Sequence, residues 1–346
     1  MAERLGGVGL AAYTTLRLGG TAGAFVAAGS EEELVEVVAA ADRAGEPVLV
    51  LGGGSNLVVG DDGFAGLVVK VVSAGVEIEA GGRVTVQAGE DWDGLVARCV
   101  GEGLSGVECL SGIPGLVGST PIQNVGAYGQ EVAQTISSVR VYDRVARETL
   151  DMPAEACGFA YRDSVFKGEP GRHLVLAVTY DLAESGLSGP VAYQELARAL
   201  GVELGARVPL AEARAAVLGL RRGKGMVLDA GDPDTISAGS FFTNAILDAG
   251  EVEELELRAP GFPRWDMADG KVKVPAAWLI ENAGFPKGYE RGSVRISTKH
   301  TLALTNPTGK ASAAELLALA REVRDGVREK FGVTLVNEPV MVGVSL

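Results

Sequence analysis

A serine set between a glycine and two phenylalanines, Gly239-Ser240-Phe241-Phe242, is a side chain placed to do chemistry. A serine nucleophile needs a histidine base and an oxyanion hole. The chain has two histidines, His173 and His300, and no GxSxG run. A hydroxyl in apolar surroundings suits proton delivery instead, or simply the capping of a helix. Arg162, in Tyr161-Arg162-Asp163-Ser164, offers a planar fork that fits a carboxylate or phosphate, or a surface pair with Asp163. Glu338, in Asn337-Glu338-Pro339, lies among Val333, Leu335, Val336, Val340 and Met341. A buried carboxyl in a cleft marks function; an edge-strand glutamate does not.

Two glycine-rich runs add binding chemistry. Glycines in Gly52-Gly53-Gly54-Ser55-Asn56 let successive backbone N–H groups converge on an anion, and Ser55 and Asn56 add polar groups. The run opens a strand rather than a helix, and no lysine follows its glycines. It is therefore neither a Rossmann fingerprint nor a P-loop, and alone it serves a turn as well as a phosphate. The run from Ile113 to Gly129 holds two prolines, four glycines and the polar residues Ser119, Thr120, Gln123, Asn124 and Tyr128. So many hydrogen-bonding groups on one long loop point to ligand contact.

These residues need elements to hold them. Ser30 ahead of Glu31, Glu32 and Glu33 predicts a capped helix to about Ala44, ended by Gly45. Pro47 to Leu51 reads as a buried strand and Leu57 to Val59 as another, giving strand, glycine turn, strand. Further strands are predicted at Leu67–Val72, Val76–Ala80, Val84–Ala88, Ser138–Tyr142 and Leu174–Tyr180. Helices are predicted at Asp91–Glu102, Leu210–Leu220, Ala276–Asn282 and Ser312–Phe331, with a closing strand region at Val333–Val344. Short strands mixed with helices, without strict alternation, make the class α+β.

Composition bounds the function. A net charge of −14 without a dense basic run excludes an ordinary nucleic-acid binder. No stretch nears the roughly 18 apolar residues of a membrane span. Cys99, Cys109 and Cys157 are widely spaced and odd in number, which predicts reduced thiols and a cytoplasmic setting. The scarcity of histidine speaks against a metal centre.

Taken together and in this order, IPGLVGSTPIQNVGAYGQE, CGFAYRDSVFK, SAGSFFTN and NEPV resemble the UDP-N-acetylenolpyruvoylglucosamine reductases, over about Thr14 to Val342. The resemblance implies two FAD-binding subdomains of the vanillyl-alcohol oxidase (PCMH) type plus an α+β substrate domain. It places them at residues 1–75 completed by 333–346, at 76–225, and at 226–332. It implies non-covalent FAD held by Gly52, Gly53, Gly54, Ser55 and Asn56 and by Ser119, Thr120, Gln123, Asn124, Gly126 and Tyr128. It also implies NADPH as reductant and a UDP-sugar enolpyruvyl ether as substrate. Ser240 corresponds to the proton donor, and Arg162 and Glu338 to active-site residues. Tyr193, Lys224 and Asn244 correspond to substrate contacts. The family pattern GSFFKNP is broken by Thr243 and Ala245, which removes a lysine contact and loosens a turn. A monomer without metal, membrane or nucleic-acid partner is expected. The alternatives are a flavin oxidase on the same scaffold and a non-enzymatic nucleotide-binding protein.

Overall fold

The computed structural model describes residues 3–267 and 269–346. The chain is α+β and divides into two units. The first comprises the chain start up to Val8, Ala22–Gly53 and Ala65–Val227. The second comprises Gly9–Thr21, Gly54–Phe64 and Leu228–Leu346.

In the first unit the helix Glu31–Ala44 begins where predicted. The Ser30 hydroxyl accepts from the Glu33 amide at 3.2 Å, and Gly45 ends the helix in the left-handed region. Its buried Leu34, Val38 and Ala41 join a core with Val26, Leu67 and Val69. Strand Val48–Leu51 pairs in parallel with Phe64–Val71, in a register that sets Leu51 opposite Lys70. A second sheet runs Glu148–Pro153, Ile136–Asp143, His173–Asp181, Arg83–Gln87, Val76–Ile78, all antiparallel. The hairpin strand Glu148–Pro153 has no glycine-type turn signal ahead of it. Its turn rests on the Asp143 carboxylate, which accepts from the Val145 and Ala146 amides at 2.8 and 3.0 Å, with Arg147 at φ 61°.

The helix Leu210–Gly223 runs one turn past its predicted end, and a short helix, Gln194–Leu200, precedes it. Between them Leu196, Ala197 and Val217 form a small core with Cys109 and Val191.

In the second unit the helix Ala313–Phe331 carries a capping box. Ser312 accepts from the Glu315 amide while the Glu315 carboxylate accepts from that of Ser312. Asp61 accepts from the Ala313 and Ala314 amides, so a second carboxylate sits at the same helix start. The helix buries Leu316, Leu317, Leu319, Val323, Val327 and Phe331. Each leucine there is worth about 2–5 kcal/mol against alanine, so this face rather than intrinsic propensity holds the helix in place. A four-stranded sheet runs Ser237–Ser240, Ala303–Thr305, Val294–Ile296, Glu290–Arg291.

The closing strand is shorter than the sequence implied. Only Val340–Val342 pairs, in parallel with Leu57–Val59. Pro339 has no amide to offer before it, and Gly343 at φ 68° turns the chain after it. No helix among the described residues is long and apolar enough to cross a membrane.

Candidate active site

The glycine run joins strand Val48–Leu51 to strand Leu57–Val59, as strand, turn, strand. Its first two glycines belong to the first unit, where no side chain fits. A Cβ on Gly52 would stand 2.6 Å from the Ser119 hydroxyl, and one on Gly53 2.7 Å from Gly115 Cα. Both neighbours lie on the second glycine-rich loop, where Gly53 meets backbone and Gly52 meets the Ser119 side chain. That loop is held down by its own bonds. The Gly118 amide donates to the Ala88 carbonyl and the Trp92 amide to the Gly115 carbonyl, at 2.9 and 3.1 Å. This close pairing of glycine backbones, with the Ser119 hydroxyl beside it, fits a phosphate-bearing cofactor.

The Tyr161–Ser164 segment docks on the same loop. The Ser164 hydroxyl donates to the Ile122 carbonyl, and the Asn124 amide donates to the carbonyl of Ala160 and to Glu131. The Arg162 guanidinium donates to the Gly126 carbonyl at 2.7 Å and to that of Asn124 at 3.4 Å, with its Cζ 5.5 Å from the Tyr161 ring. Among the described residues five non-glycines have positive φ, and three of them, Asn124, Tyr128 and Arg162, are here. Each costs about 1–2 kcal/mol, and strain concentrated in this way is characteristic of sites.

Tyr128 stands edge-on to Tyr193 at 5.6 Å, and Lys224 lies 5.5 Å from the Tyr128 ring centre. Burial pushes the Tyr128 phenol up to about 12, so it stays neutral. Lys224 is held at 2.5 Å by Glu195, two residues after Tyr193.

In the second unit the remaining half of the glycine run meets the serine motif and the chain end. Gly54, at φ 64°, has no room for a side chain, since a Cβ would fall 1.8 Å from the Tyr13 carbonyl oxygen. The Thr15 amide donates to the Gly54 carbonyl, and its hydroxyl to the Ser237 carbonyl at 2.6 Å. A bulge interrupts the pairing of Ser237–Ser240 with Ala303–Thr305, with Gly239 at φ 71°. Bulges of this kind re-aim a side chain, and here the next one is Ser240. Phe241 and Phe242 are fully buried just after it.

The terminal segment then lies along the serine motif. The Glu338 amide donates to the Phe241 carbonyl at 2.9 Å, and the Thr243 amide to the Val336 carbonyl at 3.0 Å. The Asn56 side chain donates to the Glu338 carbonyl at 3.4 Å, and the Val340 amide to the Asn56 carbonyl at 2.9 Å. Asn56, Ser240 and Glu338 therefore share one hydrogen-bonded framework. Thr243, where the family pattern has lysine, directs its hydroxyl to the Val336 carbonyl.

Three predicted residues place side-chain atoms in the architecture itself. The Thr120 hydroxyl contacts the Val117 carbonyl and the Tyr180 hydroxyl. Asn124 also accepts from the Ala133 amide. The Asn244 side-chain oxygen accepts from the Ala276 amide at the start of helix Ala276–Asn282. Gln123 and Ser55 are half-buried on their loops. Sequence reasoning passed over Glu195 and Lys70. Lys70 was visible as the single charge in an otherwise apolar strand.

A family model described as FAD binding domain matches residues 22–147. Another, described as UDP-N-acetylenolpyruvoylglucosamine reductase, C-terminal domain, matches residues 232–342. Fold and site thus define an FAD-dependent oxidoreductase, consistent with the glycine cradle. UDP-N-acetylenolpyruvoylglucosamine reductases from Thermobifida fusca and Streptomyces avermitilis are 59% and 55% identical to the chain. The matches cover 98% and 97% of the chain, and 98% and 94% of those proteins. The crystal structure of UDP-N-acetylenolpyruvylglucosamine reductase from Thermus caldophilus matches with a TM-score of 0.68 at 26% identity, covering 99% of both chains. The chain belongs to the UDP-N-acetylenolpyruvoylglucosamine reductase family, and FAD is its cofactor.

Proposed function

We propose that the protein reduces UDP-N-acetylglucosamine enolpyruvate to UDP-N-acetylmuramate with NADPH, for peptidoglycan precursor synthesis in the cytoplasm, as a monomer. FAD, when bound, carries hydride from NADPH to the vinyl group of the substrate. Gly52 to Asn56 and the loop through Ser119, Thr120, Gln123, Asn124, Gly126 and Tyr128 hold it. On this reading residues 1–75 with 333–346, and residues 76–225, bind the cofactor, and residues 226–332 bind the substrate.

The chain's own work is electrostatic and protonic. Arg162, its guanidinium fixed by two carbonyls and a tyrosine face, steadies the charge that develops on the enolpyruvyl carboxylate. Glu338 shares that task as a hydrogen-bond donor. Ser240 delivers a proton to the carbon bearing the ether oxygen. A serine hydroxyl is a weak acid, so the developing carbanion supplies most of the drive. Lys224 and Asn244 contact the diphosphate and the uridine side of the substrate nucleotide, and Tyr193 covers the substrate.

The observation that carries this reading is the framework in which Glu338, two residues before the terminal strand, is bonded to the residue that follows Ser240. A direct test is NADPH oxidation that depends on the enolpyruvyl ether, with a product heavier by one H2. NADPH oxidation indifferent to that compound would reject the substrate.

A further inference from the structure

Lys70 is a lysine in the otherwise apolar strand Phe64–Val71, between the buried Val69 and Val71. It pairs with Leu51 across parallel strands, at the end where the first glycine turn leaves the sheet. In sheets of parallel strands, ligands collect beyond those carboxyl ends. The Lys70 ammonium donates to the Gly52 carbonyl at 2.5 Å. An ammonium has three donors, so one carbonyl does not satisfy it. No carboxylate pairs with it among the described residues, and burial alone displaces its pKa, downward. Lys70 is half-buried, and its remaining N–H donors with their positive charge suit an anion. In the same turn Gly52 lies against the Ser119 hydroxyl and Gly53 packs directly on the Gly115 backbone, which brings the second glycine-rich loop to the turn.

We infer that Lys70 supplies the positive charge for the diphosphate of FAD at the first glycine turn. The inference rests on the proposed reading that this turn holds FAD, and adds that the diphosphate is the part it holds. Lys70 touches phosphate on this account and leaves the reacting atoms alone.

The test is a titration of the full chain, stripped of flavin, with FAD and with riboflavin, which lacks phosphate. Flavin fluorescence reports binding. Lys70→Met should weaken FAD about ten- to a hundredfold, the worth of a charge-assisted hydrogen bond. Riboflavin affinity and the melting temperature of the stripped protein should not change, and Lys70→Arg should restore most of the FAD affinity. Unchanged FAD affinity in Lys70→Met, beside a wild type that prefers FAD, would overturn the role of Lys70 alone. Equal losses for both flavins would reduce Lys70 to a brace for the turn and overturn it too. A wild type that binds riboflavin as tightly as FAD would overturn the underlying reading of the turn along with it.

Discussion

Glu338 and Phe241 are joined through their backbones, the Glu338 amide donating to the Phe241 carbonyl at 2.9 Å. The Glu338 backbone is thereby tied to the residue after Ser240, while the Asn56 side chain donates to the Glu338 carbonyl. If Glu338 serves as a donor to the developing charge, its amide isostere should serve in part. Glu338→Gln should keep kcat within about tenfold, and Glu338→Ala should lose about a hundredfold or more, with flavin content unchanged. Equal kcat in wild type and Glu338→Ala, measured under saturating substrate, would remove Glu338 from the chemistry.

Gly53 faces Gly115 with no space for a methyl, the nearest atom being backbone at 2.7 Å. Backbone cannot swing aside as a long side chain can. Gly53→Ala should therefore separate the two glycine runs and lower FAD retention on gel filtration at least tenfold. Gly45→Ala has no atom within 4 Å of the added carbon and should retain full FAD, although its φ of 66° will cost the helix some stability.

Glu195 holds Lys224 at 2.5 Å, in a pair about a third exposed on each side. Such a pair is worth at most about 1 kcal/mol. Glu195→Gln should release the lysine for the diphosphate of the substrate. KM for the nucleotide should fall about two- to fivefold with kcat unchanged, and the gain should shrink at high salt. A raised KM would show that Glu195 positions the lysine rather than competing for it.

All three cysteines are buried, and burial pushes their thiols up, to about 11 for Cys99 and Cys157 and about 12 for Cys109. A thiol-specific reagent at pH 8 should find none in the native protein and all three after denaturation. In an unfolded chain these thiols titrate near 8.5, so above that pH the folded state holds more protons. Their contribution to stability is complete below about pH 8.5 and is lost as pH rises through about 11 to 12. The Tyr128 phenol adds to this loss above its unfolded value near 10. The melting temperature should fall steadily between about pH 8.5 and 11.

Much of the frame was readable in the residues. Ser30 announced its helix by capping chemistry, the amphipathic pattern of Ser312–Phe331 announced another, and the glycine run announced a turn between strands. The short helices Gln194–Leu200 and Ala249–Arg258 were not readable. In the first, only Leu196 and Ala197 are deeply buried, and in the second only Leu255, too few to write a period. The bulge before Ser240 depends on the register against Ala303–Thr305, which local sequence does not encode. The site was legible as motifs. Which side chains in those motifs face a ligand was not, because Thr120, Asn124 and Asn244 bond to partners distant in sequence or hidden within their own loop.

The most direct test of the account is an anaerobic half-reaction followed by flavin absorbance. One equivalent of NADPH should bleach both the wild-type protein and Ser240→Ala. Adding UDP-N-acetylglucosamine enolpyruvate without oxygen should then restore the colour of the wild type quickly and leave Ser240→Ala bleached. A wild-type flavin that stays bleached with that compound and recovers only in air would contradict the proposed substrate, and recovery of Ser240→Ala at the wild-type rate would contradict the proton donor.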